Sequence, residues 1–175
     1  RDSSDVCSSD LCSVSIAPIA KNGLGAVKCA PEFVGIWKRT TPCVVASVDA
    51  GTEMVLVAYA DWERAKSIPP AEVAKFAKRF RFKAFLLDTW GKDGKTLLDF
   101  MPAKEVAALV DGLKRVHTTV SVGGSLRPEQ LKQLKGVAPD YFAVRSSACA
   151  AGKRDGVVDA TRVRKWKEAL AGVKV

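Results

Sequence analysis

The sequence predicts an α/β protein built on a parallel sheet. Three observations carry that prediction. First, short apolar runs recur at Ala26–Cys29, Met54–Ala60, Ala84–Leu87, Thr118–Val122 and Tyr141–Val144, with starts 23 to 34 residues apart. That spacing fits a strand, a crossover helix and two loops. Second, each run is almost continuously apolar, as expected of strands whose sheet is covered by helices. Third, amphipathic segments of helical period fill the gaps. Repeated βα units make either a doubly wound sheet or a (β/α)8 barrel. Five units are visible, and a complete barrel takes about 250 residues. On the barrel reading, about three units are absent from the N-terminal side.

The elements follow in order. Residues 1–11 read RDSSDVCSSDL, rich in serine and aspartate with no apolar period. Asp5 to Leu11 back-translates naturally into the end of a common short-read sequencing adapter. The stretch is therefore expected to be a disordered, translated assembly artefact, with the natural N-terminus and any signal on it lost. A partial barrel domain is expected over residues 12–175. Cys43–Val48 reads as an extra strand or an extended connection. Pro69-Pro70 opens a helix with Val73, Phe76, Ala77 and Phe80 on one face. Pro102 opens the next, with Val106, Leu109, Val110, Leu113 and Val116 at 3–4 spacing. Ser125 is expected to cap a helix that starts near Pro128 and buries Leu131 and Leu134. Asp159 caps the last helix, which buries Val163, Trp166 and Leu170. All these stripes read as core.

Composition bounds the function. The chain has 175 residues and a net charge of +9. Its lysines and arginines are scattered over amphipathic segments, which reads first as a solvated surface and next as a basic mouth for phosphorylated substrates. No aromatic-interleaved basic motif points to nucleic acid, and no apolar run reaches the roughly 20 residues of a membrane span. Cys7, Cys12, Cys29, Cys43 and Cys149 show no metal-ligand spacing and no CxxC, which fits a reduced, cytoplasmic protein. His117, the single histidine, sits where a helix gives way to a strand. Metal and Ser-His-Asp chemistry are both disfavoured, and no cofactor is expected.

The candidate functional residues all fall at the C-terminal ends of strands, where α/β proteins meet their ligands. Lys28 ends the first run. A buried ammonium is costly unless it is paired or used, so a lysine there snorkels, forms an ion pair or does chemistry. Asp61 follows the second run and could instead cap a helix. Asp88 ends the third, and Lys92 follows four residues later on a glycine-rich loop. A lysine and an aspartate held close can move protons or handle a carbonyl. Gly123-Gly124-Ser125 follows the fourth run. Glycines let backbone N–H groups approach an anion, and a following helix N-terminus would add partial positive charge. Arg145-Ser146-Ser147 follows the fifth, with Gly152-Lys153-Arg154 close behind.

Three blocks carry a resemblance. They are FLLDTWGKDGKTLLDF from Phe85 to Phe100, VGGSLRPEQL from Val122 to Leu131, and YFAVRSSACAAGKRDGVVD from Tyr141 to Asp159. In this order and spacing, with Tyr59-Ala60-Asp61 upstream, the chain resembles the (5-formylfuran-3-yl)methyl phosphate synthases of methanofuran biosynthesis from about Ala17 to Leu170. The resemblance implies a (β/α)8 barrel and a metal-free lyase. Such an enzyme condenses two molecules of glyceraldehyde 3-phosphate into 4-(hydroxymethyl)-2-furancarboxaldehyde phosphate by class I aldolase-like Schiff-base chemistry. It implies that Lys28 matches a proton-accepting lysine on the fourth barrel strand. Asp88 and Lys92 match an active-site pair on the sixth. Gly123, Gly124, Ser125, Arg145, Ser146 and Asp61 fall on the phosphate- and substrate-binding side.

The sequence also departs from the family pattern. The D-x-K-[ND]-P segment that carries the Schiff-base lysine is absent, and Lys21-Asn22 lies too near Lys28 to replace it. The usual VKVGL reads Val27-Lys28-Cys29-Ala30-Pro31, and the usual RGAAC reads Arg145-Ser146-Ser147-Ala148-Cys149. Little or no turnover is therefore expected of this chain, and an open five-strand sheet is expected to associate through its edges. Two alternatives are another phosphosugar aldolase or isomerase with Lys28 as the Schiff-base residue, and a non-catalytic phosphometabolite-binding protein.

Overall fold

The structure, a computed structural model, describes residues 26–27 and 55–173. The residues expected as an adapter artefact, Lys28 and the Cys43–Val48 segment lie outside the described residues. Five strands form one parallel sheet in the order β1-β2-β3-β4-β5. They are β1 Ala26–Val27, β2 Val55–Tyr59, β3 Ala84–Asp88, β4 Thr119–Val122 and β5 Tyr141–Phe142. Three α-helices accompany them among the described residues: α1 Pro70–Arg79, α2 Ala103–Lys114 and α3 Ala160–Gly172. α1 joins β2 to β3 and α2 joins β3 to β4, sequential parallel neighbours linked by a helix as the βα spacing predicts.

Register divides the sheet into two faces. Leu56 pairs with Phe85 and Phe85 with Val120, while Ala58 pairs with Leu87 and Leu87 with Val122. Partners in a parallel ladder share a face, so these side chains form one apolar surface. Val73, Phe76 and Ala77 of α1 and Val106, Val110 and Leu113 of α2 join the same buried cluster. Each such valine, leucine or phenylalanine side chain contributes roughly 1.5–3 kcal/mol on full burial. The opposite face carries Val57, Leu86, Ser121 and Tyr141 in one row and Tyr59 beside Asp88 in the next. Its burial fades from β2, where all five residues are buried, to β5, where Tyr141 is 64% exposed. The continuous apolar run thus reports double coverage correctly for β2. For β5 the expectation fails: among the described residues it pairs with β4 alone, so no side chains from a second neighbouring strand flank Tyr141.

The first two helices end alike. Arg81 adopts φ 52° and Phe82 N–H donates to the Ala77 carbonyl at 3.0 Å. His117 adopts φ 60° and Thr118 N–H donates to the Leu113 carbonyl at 3.2 Å. This left-handed reversal closes the helix and turns the chain into the next strand. Phe80 and Val116, expected on the buried stripes, fall in these turns and are each 39% exposed. Phe80 nonetheless packs on Phe76, ring centres 4.3 Å apart. Asp140 ties the lower edge of the sheet. It accepts from Val120 N–H at 2.7 Å and pairs with Lys114 at 3.2 Å. The Val120 N–H, with Lys114 behind it, holds the Asp140 carboxyl below the usual carboxylate value.

The expected helix capped by Ser125 does not form. Gly124 and Ser125 hold φ of 94° and 53°, which a helix cannot propagate through. The chain instead makes a 3-10 turn over Pro128–Lys132, capped by Arg127, whose N–H donates to Gln130 Oε1 at 3.0 Å. Leu131, Leu134 and Val137 still reach the core. Asp159 caps α3 as expected, its Oδ1 accepting from Thr161 N–H at 2.8 Å and Arg162 N–H at 3.1 Å. Trp166 is the buried anchor of α3, and its Nε1–H donates to Ser147 Oγ at 3.2 Å.

Candidate active site

β3 delivers Asp88 to the C-terminal edge of the sheet because residues 84, 86 and 88 share the face not covered by α1 and α2. Asp88 Oδ1 accepts from Thr89 N–H at 2.8 Å and from Lys92 Nζ at 3.1 Å. Lys92 Nζ also donates to the Thr89 carbonyl at 2.5 Å and approaches Thr89 Oγ1 at 3.3 Å. Three oxygens thus surround the ammonium, matching its three donors. Both side chains of the pair remain about one-third exposed. Among the described residues no hydrogen bond reaches Asp88 Oδ2.

The loop after β3 is gripped from both sides. From the β2 side, Asp61 Oδ1 accepts from Trp90 N–H at 2.6 Å and Oδ2 from Gly91 N–H at 2.9 Å. Arg64 donates to Asp93 at 2.8 Å and holds its carboxyl below the ordinary carboxylate value. From the β4 side, Leu97 N–H donates to the Gly124 carbonyl at 2.8 Å and Gln130 Nε2 to Thr96 Oγ1 at 2.8 Å. Thr96 in turn donates to Asp99 through both its N–H and its hydroxyl, holding that carboxyl low.

A cleft of about 840 Å³ opens along the ends of β3, β4 and β5. It is lined by Asp88, Lys92, Gly123, Gly124, Ser125, Arg145 and Ser146, so seven of the sequence-expected residues share one cavity. Asp61 is not among the residues of that cleft. Its side chain is buried and both oxygens hold loop N–H groups, so it does not face a substrate there. Lys28 lies outside the described residues. No α-helix begins at Gly123-Gly124-Ser125, so no helix N-terminus adds charge at that loop.

Sequence reasoning missed several lining groups. Arg127, Arg162 and Lys165 join Lys92, Arg145 and Arg154, giving six cations against Asp88, Glu129 and Asp159. Arg145 Nε is fixed on the Arg154 carbonyl at 3.0 Å. A signal for Arg162 and Lys165 was present. Cations in the opening turns of a helix work against its dipole, so their placement there calls for another cause. The cluster gives the cleft a positive field suited to anions. Among the described residues, no group of three or more His, Cys, Asp or Glu is placed to hold a metal ion. No described helix is long and apolar enough to cross a membrane.

Comparisons with known proteins bear on this site. The family model described as 4-HFC-P synthase matches residues 8–167. The (5-formylfuran-3-yl)methyl phosphate synthase of Methanopyrus kandleri is 34% identical over 153 residues, covering 87% of this chain and 64% of the relative. That of Methanocaldococcus jannaschii is 33% identical over 156 residues, covering 89% of this chain and 66% of the relative. The chain thus spans about two-thirds of the length of these relatives. The crystal structure of phosphoribosyl anthranilate isomerase from Thermus thermophilus aligns with a TM-score of 0.41 at 18% identity, over 75% of this chain and 78% of that one. On the family match, which covers most of its residues, the chain belongs to the 4-HFC-P synthase family.

Proposed function

We propose that this chain supplies the proton-handling and phosphate-holding side of a furan-forming synthase, its five strands being five of the eight in a (β/α)8 barrel. In this reading the whole enzyme condenses two molecules of glyceraldehyde 3-phosphate into 4-(hydroxymethyl)-2-furancarboxaldehyde phosphate. It is a carbon–oxygen lyase of the cytoplasm working through a Schiff base and serving methanofuran biosynthesis. The observation that carries the reading is the Asp88–Lys92 pair, 3.1 Å apart, opening on a cleft edged by six cations.

Geometry and charge support the following roles for the residues that line the cleft. Asp88 Oδ2 accepts a proton from a carbon beside a carbonyl or imine. Lys92 returns a proton to a departing or forming oxygen, and its charge stabilises an oxyanion as it develops. Gly123 lines the floor beside Asp88, where an added Cβ would stand 3.3 Å from the Ala143 carbonyl and 3.4 Å from Asp88 Oδ1. Gly124, Ser125, Ser146 and Arg145 hold phosphate, with Arg127, Arg154, Arg162 and Lys165 adding field. Lys28, outside the described residues, takes the role of further proton acceptor on the resemblance alone. The carbonyl-capturing amine belongs to a D-x-K-[ND]-P segment that this sequence does not contain, so the chain alone turns over little substrate.

Titration calorimetry with glyceraldehyde 3-phosphate tests the reading, followed by borohydride reduction and peptide mapping. The expected result is binding that Arg145→Ala weakens about tenfold or more, the scale of one lost charged hydrogen bond. No reduced adduct should appear on Lys28. Binding unchanged in both Arg145→Ala and Lys92→Ala would refute the assignment. An adduct on Lys28 would favour a different phosphosugar aldolase or isomerase that uses Lys28 as its Schiff-base residue.

A further inference from the structure

Asp61 is 3% exposed, and its two oxygens hold consecutive backbone N–H groups of a neighbouring strand's loop. The first of these has a particular partner. The N–H of Trp90 and the carbonyl of Thr89 belong to one peptide group, which is planar, and the described chain contains no cis peptide. Asp61 Oδ1 receives the N–H end at 2.6 Å, and Lys92 Nζ donates to the carbonyl end at 2.5 Å. A buried carboxylate and a cleft-lining ammonium therefore sit at opposite ends of a single rigid dipole.

The geometry points to Asp61 as the positioning residue for Lys92, acting through the Thr89–Trp90 peptide. A carboxylate on the N–H fixes the plane of the peptide and so the direction of its carbonyl. It also polarises the group, strengthening the bond that the carbonyl accepts. The second oxygen on Gly91 N–H removes rotation about the first contact. Arg64 closes the arrangement, its Nη1 lying 3.7 Å from Asp61 Oδ2 while Nη2 binds Asp93. The absence of a side chain at Gly91 makes room for it, since a Cβ there would fall 2.6 Å from Arg64 Nη2. This role rests on the reading of Lys92 as the proton-returning group, but the contact itself requires no substrate.

Competitive acylation of Lys92 Nζ in the full chain, quantified by peptide mass spectrometry, tests the inference. In Asp61→Asn one N–H faces an amide donor, the peptide loosens, and Lys92 acylation rises several-fold. Asp140→Asn removes a comparable carboxylate–N–H bond at the far edge of the sheet and serves as the stability control. It should leave Lys92 labelling unchanged. Equal labelling of wild type and a folded Asp61→Asn would overturn the inference. Should Asp61→Asn not fold, the reciprocal variant decides. Lys92→Met should move the Trp90 amide proton upfield and speed its exchange, while the Gly91 amide, on the same carboxylate but another peptide, changes less. Equal shifts at Trp90 and Gly91 would also overturn it. A separate arm adds glyceraldehyde 3-phosphate to wild type. Protection of Lys92 supports the functional reading, and lack of protection counts against that reading alone, leaving the positioning role to the first two arms.

Discussion

Gly124 and Gly136 have nearly the same backbone and very different surroundings, so alanine at each separates strain from crowding. Their φ values are 94° and 90°. In that region a Cβ costs about 1 kcal/mol. At Gly136 an added Cβ meets nothing within 4 Å, so Gly136→Ala should cost only that strain, about 1 kcal/mol. At Gly124 the Cβ would stand 3.0 Å from Leu97 Cβ and 3.2 Å from Thr89 Cγ2. Leu97 and Thr89 are both fully buried, so neither has open space to retreat into. Overpacking of this kind adds about 1–3 kcal/mol. Gly124→Ala should therefore cost about 3 kcal/mol in all, roughly 2 more than Gly136→Ala. Urea unfolding at constant slope measures both. In a thermal melt the Gly124 variant should fall by roughly 6–12 °C. The crowding contacts lie where the loops after β3 and β4 touch, so the same substitution should also weaken triose-phosphate binding. Equal costs at the two glycines would refute the reasoning, because backbone strain alone would then explain both.

Further predictions concern charge. Asp140, Asp99, Asp93 and Asp159 all have folded-state values held below the ordinary 3.8, each chiefly by hydrogen bonds. A depressed carboxylate stabilises the fold above its unfolded value and loses that contribution as pH falls through the folded one. Stability should therefore decline as pH drops below about 4, and Asp140→Asn should flatten part of that limb in acid-titrated urea melts. A steeper limb in the variant would contradict the sign. Asp159→Ala should lower the melting temperature by removing the cap of α3. It should also tighten inorganic phosphate, because one of the three acids of the cleft is gone. Calorimetry showing weaker phosphate binding would count against the electrostatic account. Phosphate affinity of the wild type should fall steadily between low and high salt, as screening shortens the reach of the six cations. A flat profile would mean the field does not act on the anion.

The strand-end pattern was readable because period and position are local properties. Asp88 follows an apolar run and sits in register with Tyr59, so its side chain had to emerge on one face at the sheet edge. Lys92 was readable for a similar reason, being one short loop away. Ser125 was misread because the helix propensity of the following segment is opposed by two left-handed residues, Gly124 and Ser125, whose conformation the sequence does not declare. Phe80 and Val116 were misread because a Schellman turn begins one residue before the stripe ends, and Arg81 and His117 occupy the turn position usually given to glycine.

By itself the sequence determined the repeated βα order, the buried stripes of α1 and α2, the Asp159 cap and the set of polar groups at the strand ends. These depend on residue type and short spacing, which a chain carries wherever it folds. Tertiary structure alone decided that Asp61 faces the Trp90 and Gly91 N–H groups and not the cleft. It alone gathered Arg127, Arg162 and Lys165 with Arg145. Both outcomes depend on how a loop from one unit leans on the next. Spacing along the chain does not encode that lean, because it is set by the packing of neighbouring strands.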